Sequence, residues 1–435
     1  MARGDVDVHV ERGEDGTIRI AADPAPGHAR TYDEAITVDS GFTRAVLDVA
    51  GAVLTWPVLG DPGPPSAEIH DEGRAQQWLW ALYGERVAAA VHDRATGRPA
   101  RAPVAADMTA LAGSAARLGL GHWAARWWPA SSMDGIPVLD PDLLGLELAA
   151  LTHRCQQLFD DDGDQPDDCV AELIEEHQPA LAPLIRWWRA APRTTDTAHH
   201  VESTLRLIDD AADAAGTDTP AVRHLRRSLG QGRSATVPID LGGLFARLDG
   251  YALSAGRPLA GGGRVIARGE GTNDWRRYPP GFVDAAENAV SWTARALGAR
   301  RQIEVEVVAH SEAPAAGAPL VAEVRVNSGR PSRVPLARWE DVWTGRADAD
   351  LPDGAVAPHV EVGVLLPGFG PGFGPARSGT SGEAEDRVDR DAIRALVRRR
   401  LTVAARPSPY GESPHEAPAV PFLAEVAAAA AGEDY

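Results

Sequence analysis

Ile303-Glu304-Val305-Glu306-Val307 alternates apolar and acidic side chains, and its reading decides half of the fold. Successive strand side chains point to opposite faces, so a period of two describes a strand with one buried and one wet face. The pattern recurs nearby. Val321, Val324 and Val326 interleave with Glu323 and Arg325, and Val360, Val362 and Val364 repeat it. Val265 and Ile266 follow the glycines Gly261 to Gly263. Such strands predict an antiparallel, sandwich-like sheet pair over residues 233–376.

Upstream of Gly232 the period is helical. From Thr195, Val201, Leu205, Ile208 and Ala212 recur every three to four residues. Thr219 then offers an N-cap oxygen, Pro220 fits the first helical position, and Val222, Leu225 and Leu229 form an apolar seam. Glu202, Asp209, Asp210 and Asp213 on one helix face Arg223, Arg226 and Arg227 on the next. Earlier helices are expected over about Asp71–Arg94, from Met108 through Trp128, over Leu143–Phe159, from a cap at Asp168 through Glu176, and from Pro179 through Trp188. Residues 66–232 are therefore read as a helical domain.

The first 65 residues read as a small β-rich unit. Val6, Val8 and Val10 alternate, Ile18 and Ile20 follow a turn, Ile36 and Val38 alternate again, and Ala45–Leu59 holds one or two buried strands. Beyond the sandwich, residues 377–403 are read as a linker, loose over Arg377–Glu385, with a short helix over Asp389–Leu401. Residues 404–435 are a Pro- and Ser-rich tail ending in an apolar helix. The fold class expected is multidomain α+β.

Composition removes whole chemistries. None of the 43 Lys+Arg residues is lysine. P-loop, kinase, Schiff-base and Ser-Lys reactions need a lysine that this chain does not supply. The abundance of Ala, Arg, Gly and Pro is that of a GC-rich genome such as an actinobacterium's. A net charge of −19 argues against a chain-wide nucleic-acid surface. No signal peptide or membrane span is read, and the two cysteines make no disulfide framework, so a cytoplasmic location is expected.

Candidate sites are sparse. Gly-x-Ser-x-Gly, His-Glu-x-x-His and the dinucleotide fingerprint are all missing. His153, Cys155, Cys169 and His177 are zinc-ligand types without knuckle spacing, so no metal and no cofactor is expected. The acidic run Asp160, Asp161, Asp162, Asp164, Asp167 and Asp168 lacks the glycine and glutamate of a calcium loop. His199, His200 and Glu202 are expected to be exposed and idle at a helix start. The twelve tryptophans are mostly read as core. The segment Arg268–Trp292 carries Trp275, Arg276, Arg277 and Tyr278 on a loop held by Pro279 and Pro280, the vocabulary either of a contact surface or of a long connection between two strands with Trp275 and Tyr278 folded back onto the sandwich. Phe422, Leu423 and Val426 share one side of the terminal helix and suit docking into a groove. These readings lead to a non-enzymatic cytoplasmic adaptor that binds partner proteins in a bacterial multiprotein system. The alternative is a hydrolase or metal-dependent enzyme whose His, Asp and Glu residues only the fold brings together.

Overall fold

The computed structural model describes residues 6–22, 42–60, 63–93, 100–104, 109–159, 166–190, 196–232, 244–245, 263–310, 320–327, 329–349, 359–369, 380–406 and 420–431. Among them it is mixed α+β, with ten helices and three antiparallel sheets. Ile36, Val38, Val237, Ile239, Asp160–Asp164 and most of the Pro-rich stretch before Val420 lie outside the described residues.

The chain divides into two compact units. The first comprises residues 1–125, 139–246 and 398–435. Its sheet contains β1 (Val6–Arg12), β2 (Ile18–Ala22), β3 (Arg44–Val49), β4 (Ala52–Pro57), β5 (Ser66–Ile69) and β6 (Ala100–Val104), in the order β3-β4-β5-β2-β1-β6. Alternation places Val8, Val10, Ile18, Ile20, Leu54 and Ile69 inside. Periodicity reads β1 to β4 but not β5 or β6. β6 carries Pro103, which has no N–H to donate, and β6 is an edge strand, where proline is tolerated.

Helices α1 (Glu72–Tyr83) and α2 (Glu85–His92) follow β5. Asp71 caps α1 by accepting the Arg74 amide at 3.1 Å. The expected single helix is split at Gly84, whose φ of 82° lies in the left-handed region that glycine enters at no steric cost. Trp78 donates to the Ala50 carbonyl at 2.8 Å and Tyr83 to the Pro65 carbonyl at 2.9 Å, which ties α1 to the sheet connections. Then come α3 (Ala110–Trp127), α4 (Pro141–Arg154), α5 (Pro166–Glu176), α6 (Leu181–Ala190), α7 (Asp196–Ala214) and α8 (Pro220–Gln231). Asp140 caps α4 and Thr219 caps α8, each with proline at the first helical position. Helix α5 begins at Pro166, two residues before the cap expected at Asp168, and proline's fixed φ suits a first helical turn. The α7–α8 hairpin has the expected charge pairs, with Arg226 reaching Asp209 at 2.9 Å and Asp213 at 3.2 Å.

The second unit comprises residues 126–138 and 247–397. Its larger sheet orders β12 (Ala337–Trp339), β13 (Val342–Asp348), β9 (Arg300–Val308), β8 (Val290–Leu297) and β7 (Arg264–Glu270). The smaller orders β11 (Ser332–Pro335), β10 (Val321–Val326) and β14 (Val360–Leu365). β11 lies against β13, and β14 against β8, making a sandwich around Val305, Val307, Val324, Val334, Val364 and Trp343. Alternation misleads at Glu304, which is 5% exposed rather than wet. Its carboxylate lies between Arg346, at 2.7 Å, and Arg295, at 3.5 Å, which offsets the cost of burying a charge.

Helix α9 runs over Thr380–Ala404, longer than the sequence suggests and helical where residues 380–385 read as loose. Glu and Ala there favour helix enough to extend it backward. Helix α10 is Leu423–Ala431.

Candidate functional site

The loop between β7 and β8 is built rather than loose. Asn273 donates its amide to the carbonyls of Asp284, at 2.8 Å, and Ala286, at 2.6 Å. The Tyr278 hydroxyl donates to Asn273 Oδ1 at 2.5 Å. Asp284 is fully buried and accepts from Ser131 Oγ at 2.6 Å, Ser132 Oγ at 2.8 Å and the amides of Met133 and Ala286 at 3.1 and 2.9 Å. Four donors satisfy the charge and pin the 131–136 turn.

Trp275 and Tyr278 are therefore interior, 3% and 1% exposed. Burial pushes the Tyr278 hydroxyl well above its ordinary value, with Asp274 and Asp284 adding to the shift. Arg276 forms a bidentate pair with Asp274 at 2.7 and 2.8 Å and reaches Asp386 at 2.9 Å. Burial opposes its charge, and the two carboxylates outweigh burial to raise its pKa. Arg277 reaches Glu323 at 3.1 Å. The four residues singled out as a contact surface are brought together, with both aromatic rings turned inward. Trp128, Ala130, Trp275, Tyr278, Pro280 and Val283 line a shallow cleft with no room for a small molecule.

Beside this loop, Glu287 accepts from Arg390 at 2.6 Å and from Arg394 at 3.0 Å. Burial raises the Glu287 pKa, and the two guanidiniums outweigh it, leaving the carboxyl at about 2. Arg394 also donates to the Ala285 carbonyl at 2.7 Å, and its guanidinium lies 4.9 Å from the Trp275 ring centroid.

The first unit holds a second buried cluster. Arg117 on α3 donates to Glu147 of α4 at 3.3 Å, to His200 Nε2 of α7 at 2.9 Å and to the Pro421 carbonyl at 3.2 Å. His200 is not exposed and idle. Accepting from a guanidinium requires an unprotonated Nε2, and burial followed by the Arg117 charge lowers its pKa. Arg400 holds Glu425 bidentately at 2.6 and 2.7 Å. Phe422 lies between guanidiniums, 4.9 Å from Arg117 and 5.6 Å from Arg400. Phe422 and Leu423 are buried and Val426 is half-buried, so the terminal helix docks on its own chain, against α4 and α7.

The four zinc-ligand types do not form a site. Cys155 is buried, which pushes its thiol up to about 12, and Cys169 is exposed. His177 lies against Gly145, where a Cβ would fall 2.0 Å from the ring, and pairs with Asp142 at 3.2 Å. Among the described residues no group of three or more His, Cys, Asp or Glu side chains could hold a metal ion, and no helix is long and apolar enough to cross a membrane.

The exposed aromatics are elsewhere. Nine of the twelve tryptophans are buried and Trp127 is half-buried, while Trp80 on α1 is 66% exposed and Trp339 on β12 is 63% exposed. Trp339 pairs with Val342 across the two-residue turn Glu340-Asp341. Glu340 has φ of 53°, left-handed for a residue that seldom adopts it. The signal was present in Arg338-Trp339-Glu340-Asp341, a tryptophan set among charges beside a hairpin turn. No family model matches the chain, and the searches of curated proteins and of solved structures returned no match to it.

Proposed function

We propose that this protein is a non-enzymatic cytoplasmic adaptor that assembles with partner proteins in a bacterial multiprotein system, and that Trp339 anchors one contact. The observation that carries this reading is a tryptophan 63% exposed at a hairpin tip whose neighbour Glu340 holds a φ of 53°. Left-handed backbone at a non-glycine residue costs roughly 1 kcal/mol or more and concentrates at functional positions. Tryptophan is also the residue most enriched among binding hot spots. Arg338, half-buried in the same strand, donates to the Glu340 carbonyl at 3.0 Å and stiffens the tip. A rigid aromatic loses little side-chain entropy on binding, which favours such a residue as an anchor.

The test is a photo-reactive phenylalanine placed at position 339, cross-linked in the native host and read by mass spectrometry. A defined partner is expected at this position. The same partner should be lost on affinity capture with Trp339→Ala, while the melting temperature stays put. Unchanged capture with Trp339→Ala would remove Trp339 from the contact.

A further inference from the structure

We infer that the first unit contains a peptide-binding groove, and that its ligand is a segment of sequence Pro-Phe-Leu-x-Glu-Val, here residues 421–426, exchangeable for the same segment of a second copy of this chain. Three observations carry this, none involving Trp339.

The groove is shaped for an aromatic ring. At Gly121 of α3 a Cβ would fall 2.4 Å from the Leu148 side chain and 3.3 Å from the Phe422 ring, so glycine lets α3 pack close against both. Arg117 and Arg400 then cover the ring at 4.9 and 5.6 Å. A buried aromatic beside arginines is a combination enriched in binding hot spots.

The groove offers two guanidiniums, Arg117 and Arg400, against one carboxylate of its own, Glu147, and so takes an acidic segment. Arg117 and Glu147 pair with each other at 3.3 Å, and His200 lies 3.2 Å from the same Glu147 oxygen. Glu425 of the segment supplies the second carboxylate, held by Arg400 at 2.6 and 2.7 Å.

The segment organises its own helix start. The Glu425 carboxylate accepts the Phe422 amide at 2.7 Å, the return half of a capping box. The groove adds one backbone bond at each side of the ring, from Ala424 N to Glu147 at 3.3 Å and from Arg117 to the Pro421 carbonyl at 3.2 Å. Ala424, Ala427 and Ala428 are buried, and their small side chains let the helix approach closely. Residues 407–419 separate the segment from α9 in sequence, so the same contacts can form within one chain or between two.

The experiment starts from the full chain with a protease site introduced within residues 407–419, cut after folding. The cleaved terminal fragment is expected to co-elute with the body. A fluorescent peptide of residues 417–435 is expected to displace it. Peptides carrying Phe422→Ala or Glu425→Gln are expected to displace it about 30-fold more weakly, the loss of a hot-spot side chain. Two uncut chains with different tags should co-purify increasingly as concentration rises, and Phe422→Ala should abolish this. A body that unfolds when the fragment leaves would show that the segment is core. A folded body that fails to bind the peptide would show that the groove has no affinity of its own. Either result overturns the inference, and a second cleavage position within 407–419 guards against a local folding defect.

Discussion

Trp275 and Phe422 are two of the aromatic rings that lie under guanidinium groups, and they differ in what the ring belongs to. Trp275, 4.9 Å from Arg394, sits in a short 3-10 turn inside the loop between β7 and β8. Around it the backbone is fastened by Asn273, Tyr278 and Asp284. Phe422, between Arg117 and Arg400, belongs to a segment joined to the rest only through residues 407–419. The chemistry of the two clusters is of one kind: two arginines, their carboxylate partners and one ring. The difference lies in connectivity, and it separates a ring that holds a fold from a ring that occupies a site. Trp275→Ala tests this most severely. A fully buried tryptophan replaced by alanine costs about 3–5 kcal/mol. Unfolding of the second unit in urea should move accordingly, while Phe422→Ala should loosen residues 420–431 to proteolysis and leave most of the first unit's transition in place. Equal losses of global stability would erase the distinction.

Acid should separate the clusters next. The Glu287 carboxyl stands at about 2 in the folded state, below its ordinary 4.5. A depressed folded pKa gives stability that is present above the unfolded value and is lost as pH falls through the folded one. The second unit should therefore weaken between about pH 4.5 and 2, by roughly 2 kcal/mol once partial solvent screening is allowed for. Glu287→Gln should be less stable at neutral pH and flatter across that window. A variant that keeps the full acid loss would assign it to other carboxylates.

In the first unit the titrating group is a histidine instead. His200 has a folded pKa below the ordinary histidine value, set by burial first and then by Arg117 and Arg154, against the pull of Glu147. The unfolded chain then binds the proton more readily, so stability falls as pH drops below about 6.5. Replacing His200 by Gln should flatten that loss between pH 7 and 5, read from chemical denaturation at each pH.

Local chemistry was legible in the sequence and distant pairing was not. The alternation at Ile303–Val307, the cap at Thr219 and the helix at Leu423–Ala431 all follow from neighbours within a few residues. His200 reads as idle because its partner Arg117 lies 83 residues away, and Pro421 lies 304 residues from the same arginine. Periodicity carries no information across such separations. Trp275 and Tyr278 have the composition of a surface loop. They are interior because Asn273 and Asp284 satisfy the backbone that turns them inward, and a loop's polar closure is invisible in its residue types. Glu304 is the converse: a residue on the wet beat of an alternating strand is buried because Arg295 and Arg346 come from neighbouring strands to meet it.

The smallest effect falls on the hairpin tip. Trp339 is 63% exposed, so Trp339→Ala removes little buried surface and should shift stability by no more than about 0.5 kcal/mol. Glu340 holds φ at 53°, and glycine reaches that region without the Cβ clash. Glu340→Gly therefore relieves strain in the folded state while loosening the unfolded chain, two opposing terms of up to about 1 kcal/mol each. The net change should be near zero, against 3–5 kcal/mol or so at Trp275. The comparison sharpens through binding: Trp339→Ala and Glu340→Gly should both weaken partner capture while leaving the melting temperature alone, the first by removing the anchor and the second by freeing its aim. A melting temperature that falls with Trp339→Ala as far as with Trp275→Ala would make position 339 part of the fold's support and leave the adaptor reading without its anchor.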